Sequence, residues 1–215
     1  MIQAQAQLED TSAEHRGRLL DGMARAVAAN GYTETTIADI VREACVSRRT
    51  FYQHFATKAE CLIALYEAAS IAALNVLRDA IDPAHAWQTQ AEQAMEAYLE
   101  CLSRNPVLLR TLFIEIFGLG VEGLAARRRV NRQIANFMLN VVNTDRGKSG
   151  RSHLLSDELA MAVVGGVNEL ILQAIEQDRV TTLADLAGPA IRLLLATASE
   201  HSGAPPRGVI ARVKK

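Results

Sequence analysis

Cysteine is scarce in this sequence: its 215 residues include three, Cys45, Cys61 and Cys101. They are far apart, form no C-x-x-C pair and are odd in number, so the sequence predicts neither a disulfide framework nor a thiolate metal site. The five histidines also lack the spacing of metal ligands. We therefore expect no metal, no cofactor, and cysteines that act as small buried hydrophobes. A redox switch at Cys45 or Cys61 is the alternative.

Catalytic patterns are missing as well. No nucleophile beside a base, no carboxylate pair and no metal spacing stands out, so we do not expect an enzyme. The net charge is −1, which excludes the strongly basic surface of a protein that coats DNA without reading its sequence. DNA binding would have to depend on a local basic patch.

Long apolar runs are the third absence. Charge or glycine interrupts each apolar stretch before it reaches the length that a bilayer requires. The first residues lack the basic end and the apolar core of a signal peptide. The sequence therefore predicts a cytoplasmic protein with no membrane partner.

No period-two pattern of useful length occurs, whereas helical periodicity runs from about Thr11 to Ser199. With 49% hydrophobic residues, the chain can bury a core and form one or two domains. We predict an all-α protein with a three-helix N-terminal domain at residues 1–57, a larger helical domain at 58–200 and a disordered basic tail at 201–215.

The most informative pattern lies at about residues 36–55, where two short helices flank a tight turn. Thr36 and Asp39 have the spacing of a capping box, and apolar residues follow at helical intervals. Ser47 is suited to cap the second helix. This spacing predicts a helix-turn-helix motif whose recognition helix begins after Ser47.

The second helix has two different faces. Val46 and Phe51 have the spacing of a hydrophobic staple, and Phe51 and Phe55 fall on the same side at about 100° per residue. Arginine can grip a guanine edge in the major groove, and hydroxyl and amide groups reach phosphates or bases. The opposite face is rich in such groups: Arg48, Arg49, Thr50, Tyr52 and Gln53.

Lys58 opens the next helix, where a lysine and free N–H groups together suit a phosphate. The structural alternative for the whole segment is an ordinary helical hairpin with a polar outer face. We favour DNA binding because Arg48 and Arg49 cluster beside a helix cap, on a helix too short to be stable except as part of a bundle.

The pattern runs from Gly31-Tyr32 and Thr35-Thr36-Ile37 to Thr50-Phe51-Tyr52 and His54-Phe55. Together these residues resemble the DNA-binding domain of the TetR family of bacterial transcriptional regulators. The resemblance covers about the first quarter of the chain. Cys45 departs from it, since the family usually has glycine in the turn. The resemblance implies that DNA is faced by Thr36, Arg48, Arg49, Thr50, Tyr52, His54 and Lys58. Ser47 and Gln53 complete the predicted DNA-binding set.

Beyond the motif, Thr57 and Glu60 start a helix of about 24 residues, roughly 36 Å long, which the resemblance places between the DNA-binding head and the rest of the molecule. Pro106 restarts a helix after Asn105, and a loop is predicted at 143–153. We expect Pro189 to kink the last helix.

The last two helices are apolar over more than one face, which predicts a homodimer interface. The resemblance implies that they form a four-helix bundle with their partners. Two recognition helices would then meet half-sites about 34–36 Å apart. The interface candidates are Gly165, Gly166, Leu170, Ile191, Leu194 and Leu195.

The resemblance also implies an effector cavity in the helical domain. Ordinary core packing is the alternative for each candidate, because apolar residues at helical spacing need no ligand to explain them. Aromatic residues make up 5% of the chain and Ala, Leu and Val are abundant, so we expect an apolar pocket. The candidates are Trp87, Met95, Tyr98, Phe113, Phe117, Phe137, Met138, Asn168 and Glu169.

These expectations combine into a ligand-responsive repressor that binds double-stranded DNA as a dimer at a near-palindromic operator. A small, largely apolar effector would shift the protein to another arrangement and release the DNA. The alternative is a transcriptional activator, or a DNA-binding protein of the same fold that senses no ligand.

Overall fold

The computed structural model describes residues 2–148 and 155–199, with side chains in 11–144 and 155–198. Every regular element within these residues is helical, which confirms the predicted all-α class. The 3-10 helices are η1 (Glu115–Leu119) and η2 (Val180–Leu186). The α-helices are α1 (Ile2–Glu34), α2 (Ile37–Ala44), α3 (Arg48–His54), α4 (Lys58–Asp79), α5 (Trp87–Ser103), α6 (Pro106–Ile114), α7 (Gly120–Lys148), α8 (Asp157–Glu176) and α9 (Ala187–Ser199).

The helix starts follow the capping signals. Thr36 and Asp39 form a complete capping box at α2, and the Ser47 hydroxyl accepts from the Thr50 amide at 3.0 Å to cap α3. Asn105 and Ser156 cap α6 and α8 in the same way. These contacts satisfy N–H groups that have no partner inside the helix.

Three predicted boundaries were wrong. The first helix begins at Ile2 instead of near Thr11. The predicted loop from Asn143 is helical up to Lys148, because polar residues alone do not end a helix; the rest of that loop and the tail lie outside the described residues. Pro189 falls in the first turn of α9, where a proline breaks no hydrogen bond, so it marks the helix start instead of a kink.

The buried residues form two clusters that meet along α4. One joins α1, α2 and α3 to the first half of α4, and also takes in Leu112, Ile116, Ala126 and Val130. The other joins the second half of α4 to α5, α7, α8, η2 and α9. Helix α4 is therefore packed in both halves of the molecule.

Gly22 allows α1 to approach α2 closely. A Cβ atom at this position would lie 2.7 Å from the Ile40 carbonyl oxygen and 2.9 Å from the Ala44 amide nitrogen, which is closer than such atoms can come. The backbone of α1 therefore rests directly on α2, and this contact fixes the frame that carries the motif.

Among the described residues, three helices are long and apolar enough to cross a membrane by length and composition, contrary to the expectation from the sequence. They span Lys58–Asp79, Asp157–Glu176 and Val180–Ala198. That expectation was wrong because a few charges do not lower the mean hydropathy of a segment of about 20 residues enough. In this fold the helices pack within the two clusters.

Candidate nucleic-acid interface and effector cavity

Helix α3 is fixed from behind by aromatic rings. The side chain of Phe51 is fully buried, and its ring centroid lies 5.8 Å from that of Phe55. Val46 packs against the same cluster just before the Ser47 cap, as a hydrophobic staple requires. This packing sets the direction of a seven-residue helix that would not be stable alone.

The opposite face of α3 is open to solvent. Tyr52 is 54% exposed, Thr50 is half-buried, and Ser47, Arg48, Arg49 and Gln53 are exposed. Within the part of the chain that the structure describes, neither arginine of α3 has a carboxylate within ion-pair distance. The structure therefore presents six of the nine predicted DNA-binding residues together at one helix, with two uncompensated guanidinium groups.

The turn before α3 keeps a left-handed backbone although it carries cysteine. Cys45 has φ 51° and ψ 45°, a conformation that costs a residue with a Cβ atom about 1–2 kcal/mol. Arg18 offsets part of this cost: its guanidinium donates to the carbonyl oxygens of Ala44 at 3.0 Å and Cys45 at 2.6 Å. A cation at the end of α2 also suits the helix dipole. Arg18 therefore fixes the angle between the two helices of the motif.

Two further candidates flank the exposed face. Thr36 is exposed, but its hydroxyl is bonded to Asp39 in the capping box. His54 is half-buried, and its burial, followed by the nearby positive charges of His15 and Arg16, lowers the imidazole pKa. His54 is therefore neutral at pH 7 and can offer one N–H to a neighbour.

Lys58 is placed differently from the prediction. Its ammonium donates to the carbonyl oxygens of Tyr32 at 2.7 Å, Thr33 at 3.3 Å and Thr35 at 2.7 Å, and lies 4.2 Å from the centroid of the Tyr32 ring. The three N–H groups of the ammonium are thus bonded to three carbonyl oxygens, so no N–H group remains to bind a phosphate. Lys58 connects the start of α4 to the end of α1, which its place in the sequence did not reveal.

Replacing Lys58 by methionine is expected to lower the free energy of unfolding by about 1–3 kcal/mol, because the carbonyls would lose a charged donor. Urea denaturation measures this loss. Arg104→Met is the matched control, since Arg104 pairs with Glu100 on the surface and should cost little. An unchanged stability, with DNA binding that depends less on salt, would restore Lys58 as a phosphate contact.

Three adjoining chambers lie in the larger cluster and where it meets the smaller one. The polar chamber lies between α4, α5, α6, α7 and α8, and is lined by Tyr66, Ala69, Ser70, Ala73, Tyr98, Leu102, Leu112, Phe113, Ile116, Arg127, Val130, Asn131, Ile134 and Asn168. The middle chamber shares Tyr98, Ile134 and Asn168 with it and adds Met95, Met138, Val164 and Val167. The apolar chamber continues from Met95, Ile134 and Met138 to Leu77, Ile81, Gln90, Ala91, Ala94, Phe137, Val141, Val142 and Leu194.

Six of the nine predicted cavity residues line these chambers: Met95, Tyr98, Phe113, Phe137, Met138 and Asn168. Three lie elsewhere. Trp87 is buried in the core without reaching a chamber, and Glu169 is exposed on the outer side of α8. Phe117 is 41% exposed and lies under the guanidinium of Arg127, 5.1 Å from its ring centroid. Residue type alone did not show which side of its helix each occupies.

Sequence reasoning missed the polar lining of the polar chamber. Tyr66, Ser70 and Asn131 join Tyr98 and Asn168 there, and Arg127 stands half-buried at its edge. A signal was present: Arg127 and Asn131 are four residues apart, as are Tyr66 and Ser70, so each pair lies on one side of its helix.

The dimer candidates divide into two groups. Ile191 is 9% and Leu194 is 4% exposed, and both pack into the core of their own subunit, so they do not form a surface. Leu170 and Leu195 are half-buried. A Cβ atom at Gly165 would meet nothing within 4 Å, whereas one at Gly166 would lie 2.8 Å from Leu193. Gly166 thus lets α9 pack on α8, and Gly165 faces outward.

Burial argues against a redox role for Cys61, whereas Cys45 is exposed and does not have the expected role of a buried hydrophobe. Cys61 is fully buried, and burial raises the pKa of its thiol to about 12, so it stays protonated. Cys45 is exposed and Cys101 is half-buried, each as a free thiol. In the described part of the chain, no group of three His, Cys, Asp or Glu side chains is arranged to hold a metal ion.

Comparison with known proteins bears on both regions. Residues 19–65 match the family model of bacterial regulatory proteins of the tetR family. The chain is 32% identical over 77 residues to an uncharacterized HTH-type transcriptional regulator, YxbF, of Bacillus subtilis strain 168. That match covers 36% of this chain and about a fifth, 20%, of that relative.

Solved structures extend the similarity over most of the fold. The fatty acid degradation regulator FadR from Bacillus halodurans matches with a TM-score of 0.73 at 18% identity, over 83% of this chain and 97% of that one. FadR from Bacillus subtilis, solved in complex with stearoyl-CoA, matches with a TM-score of 0.71 at 19% identity, over 84% and 97%. At such low sequence identity, these similarities show that the chains share a fold and no more.

Proposed function

From the premise that residues 19–65 form a TetR-family DNA-binding domain and that the chain is a transcriptional regulator, we propose that it is a cytoplasmic repressor that binds a near-palindromic operator as a homodimer. The observation that carries this proposal is the open face of α3, where Arg48 and Arg49 have no ion-pair partner among the described residues. Charged donors on a firmly anchored short helix suit base edges and phosphates of the major groove.

The effector proposed for this repressor is a long-chain acyl compound. The lining of the apolar and middle chambers is mostly apolar, and the similarly folded FadR of Bacillus subtilis was solved with stearoyl-CoA. The amide of Gln90, a polar group of the apolar chamber, is already bonded to the His85 carbonyl at 2.7 Å. An alkyl chain is therefore the group that these two chambers suit.

Helix α4 supports a route from the effector to DNA. Tyr66, Ser70 and Leu77 of this helix line the chambers, while Lys58 at its start holds the end of α1. The carboxylate of Glu67 also accepts from Arg129 of α7 at 2.6 Å, which joins two walls of the polar chamber. A displacement of α4 would thus act on α1 through Lys58, and α1 packs against α2 and α3, the two helices of the motif.

The chambers are narrow in this arrangement. Their cavity volumes are about 40, 30 and 60 Å³, room for a few water molecules and too little for a long alkyl chain. Binding therefore requires the helices around them to separate. An effector that binds better to the widened form shifts the population toward it, and this difference in affinity is what would release DNA.

The test uses duplex DNA selected by the protein from a random pool. Titrating palmitoyl-CoA into the protein–DNA complex should weaken the affinity by about 10-fold or more, as measured by fluorescence anisotropy. Free coenzyme A is the control ligand and should have no effect. DNA affinity that stays constant while palmitoyl-CoA is shown to be bound would exclude the proposed release and favour a protein that regulates without this effector.

A further inference from the structure

Four polar side chains that are each more than nine-tenths buried meet in the polar chamber. The exposed fraction is 7% for Tyr66, 8% for Tyr98, 8% for Asn131 and 6% for Asn168. All four side chains line the same space. They come from α4, α5, α7 and α8, so the grouping is a product of the fold. Buried polar groups are normally bonded, because burying them without a partner is costly.

In this cluster the hydrogen bonding is incomplete. The amide nitrogen of Asn168 donates to the amide oxygen of Asn131 at 3.1 Å. Among the described residues, the remaining amide groups of this pair and the hydroxyls of Tyr66 and Tyr98 have no other partner. If both amides are rotated by 180°, one oxygen and one nitrogen still remain free. The chamber thus offers directed polar atoms that the protein itself does not use.

Donors outnumber acceptors in this space. Burial raises the pKa of Tyr66 to about 12 and that of Tyr98 further, so both hydroxyls are protonated at neutral pH. The guanidinium of Arg127 stands at the edge without an ion-pair partner among the described residues. The positive charge of Arg127 partly offsets the effect of burial on the pKa of Tyr66. The complementary ligand group is an oxygen acceptor.

The polar chamber adjoins the apolar lining of the other two chambers. Through Tyr98, Ile134 and Asn168 it joins the middle chamber, and through Met95 and Met138 the lining continues to Leu194. The polar end lies where the two hydrophobic clusters meet, beside Ile116 and Val130. A molecule with a polar head and an apolar tail therefore fits with its head in the polar chamber and its tail directed toward Leu194.

We infer that the polar chamber is the head-group site of the effector, where Tyr66, Tyr98, Asn131 and Asn168 bind the acyl oxygen of a fatty-acyl compound whose chain runs toward Leu194. This inference rests on the proposed function for the ligand's apolar tail, and adds the head group, its contacts and its direction. A free fatty acid and an acyl thioester share the acyl oxygen. Arg127 at the edge would attract either a carboxylate or a phosphate-bearing head.

Isothermal titration calorimetry with the full chain can distinguish a free fatty acid from an acyl thioester as the ligand. The three probes are palmitate, palmitoyl-CoA and S-hexadecyl-CoA, a thioether that lacks the acyl oxygen. We expect palmitate, palmitoyl-CoA or both to bind, and S-hexadecyl-CoA to bind at least 10-fold more weakly than the better of them. Binding of palmitate alone identifies the free acid as the source, and binding of palmitoyl-CoA alone identifies the thioester. Equal affinity for S-hexadecyl-CoA and palmitoyl-CoA, or no binding of any probe, would overturn the inference.

The variant N131L/N168L tests the contacts. Because it replaces both partners of an incompletely bonded pair with apolar groups of similar size, we expect its melting temperature to be unchanged or raised. Its affinity for the carbonyl-bearing probe should fall at least 10-fold. Affinity within twofold of the unchanged chain would overturn the assignment of the head-group site. Leu102→Met, which alters the same chamber without polar atoms, is the control.

The variant Ala91→Phe tests the direction, because Ala91 lines the apolar chamber alone. It should weaken binding of the palmitoyl ligand more than that of the octanoyl ligand with the same head, whereas Ala69→Phe in the polar chamber should weaken both. The reverse pattern would overturn the direction. Failure of DNA release with normal probe binding would contradict the proposed function and leave the head-group site standing.

Discussion

Replacing Arg49 and Tyr52 together by alanine is expected to weaken operator binding at least about 100-fold and to lower the free energy of unfolding by no more than about 1.5 kcal/mol. Both side chains stand on the open face of α3, with Tyr52 54% exposed. A bidentate arginine contact to a base is worth about 1–3 kcal/mol, and the loss occurs in each recognition helix of a dimer. Tyr52 makes an edge-to-face contact with Phe51, with 5.5 Å between the ring centroids, so its loss should cost about 0.5–1.5 kcal/mol while the Phe51–Phe55 pair stays in place.

Fluorescence anisotropy with selected duplex DNA measures this change, and urea denaturation measures the stability. The salt dependence of binding should also become less steep, since fewer counterions are released. Arg104→Ala is the control, because it removes an exposed arginine that lies just after α5 and forms a surface pair with Glu100. A double variant that keeps the footprint of the unchanged chain would show that DNA is read by another surface.

Introducing glutamate at Gly165 is expected to convert the protein to monomers and to weaken operator binding about 100-fold or more. A Cβ atom at Gly165 meets nothing within 4 Å in the subunit, so the subunit itself has room for the new side chain. In a two-fold interface the substitution occurs twice, and two carboxylates would be brought together and dehydrated. A monomer also loses the second half-site, which contributes a factor of about 100–10,000 to the avidity.

Sedimentation equilibrium reports the mass, which should fall from twice that of the 23.4 kDa chain to that of one chain. Gly165→Ala is the matched control: it fills the same position with a methyl group, favours the helix and should keep the dimer. Gly118→Glu, where a Cβ atom likewise meets nothing within 4 Å, tests whether an added charge alone has this effect. A dimer that survives Gly165→Glu would remove the outer face of α8 from the interface.

Local signals in the sequence predicted the motif well, and long-range contacts explain where prediction failed. The caps at Thr36 and Ser47 depend on hydrogen bonds within three residues, and helical periodicity places Phe51 on the same side as Phe55, so their spacing was enough. The role of Lys58 depends on three carbonyls more than 20 residues away, which spacing cannot show. Its long side chain can point toward DNA or back toward α1, and the tertiary contacts of the folded chain determine which of the two it does.

The cavity shows the same division. Apolar residues of the helical domain were expected to line a pocket, and Phe137 and Met138 do so. The polar cluster, in contrast, is assembled from four helices, so no single stretch of sequence contains it. Ile191 and Leu194 were assigned to a surface because their helix is apolar on several faces, but packing within one subunit already covers them.

The central claim is that the open face of α3 reads a DNA sequence, and selection of bound duplexes from a random pool tests it most directly. The account predicts enrichment of near-palindromic sites whose half-sites lie about 34–36 Å apart, or a multiple of that spacing, and no enrichment by the variant R49A/Y52A. A pool that stays random with the unchanged chain, or the same sites enriched by both proteins, would contradict it.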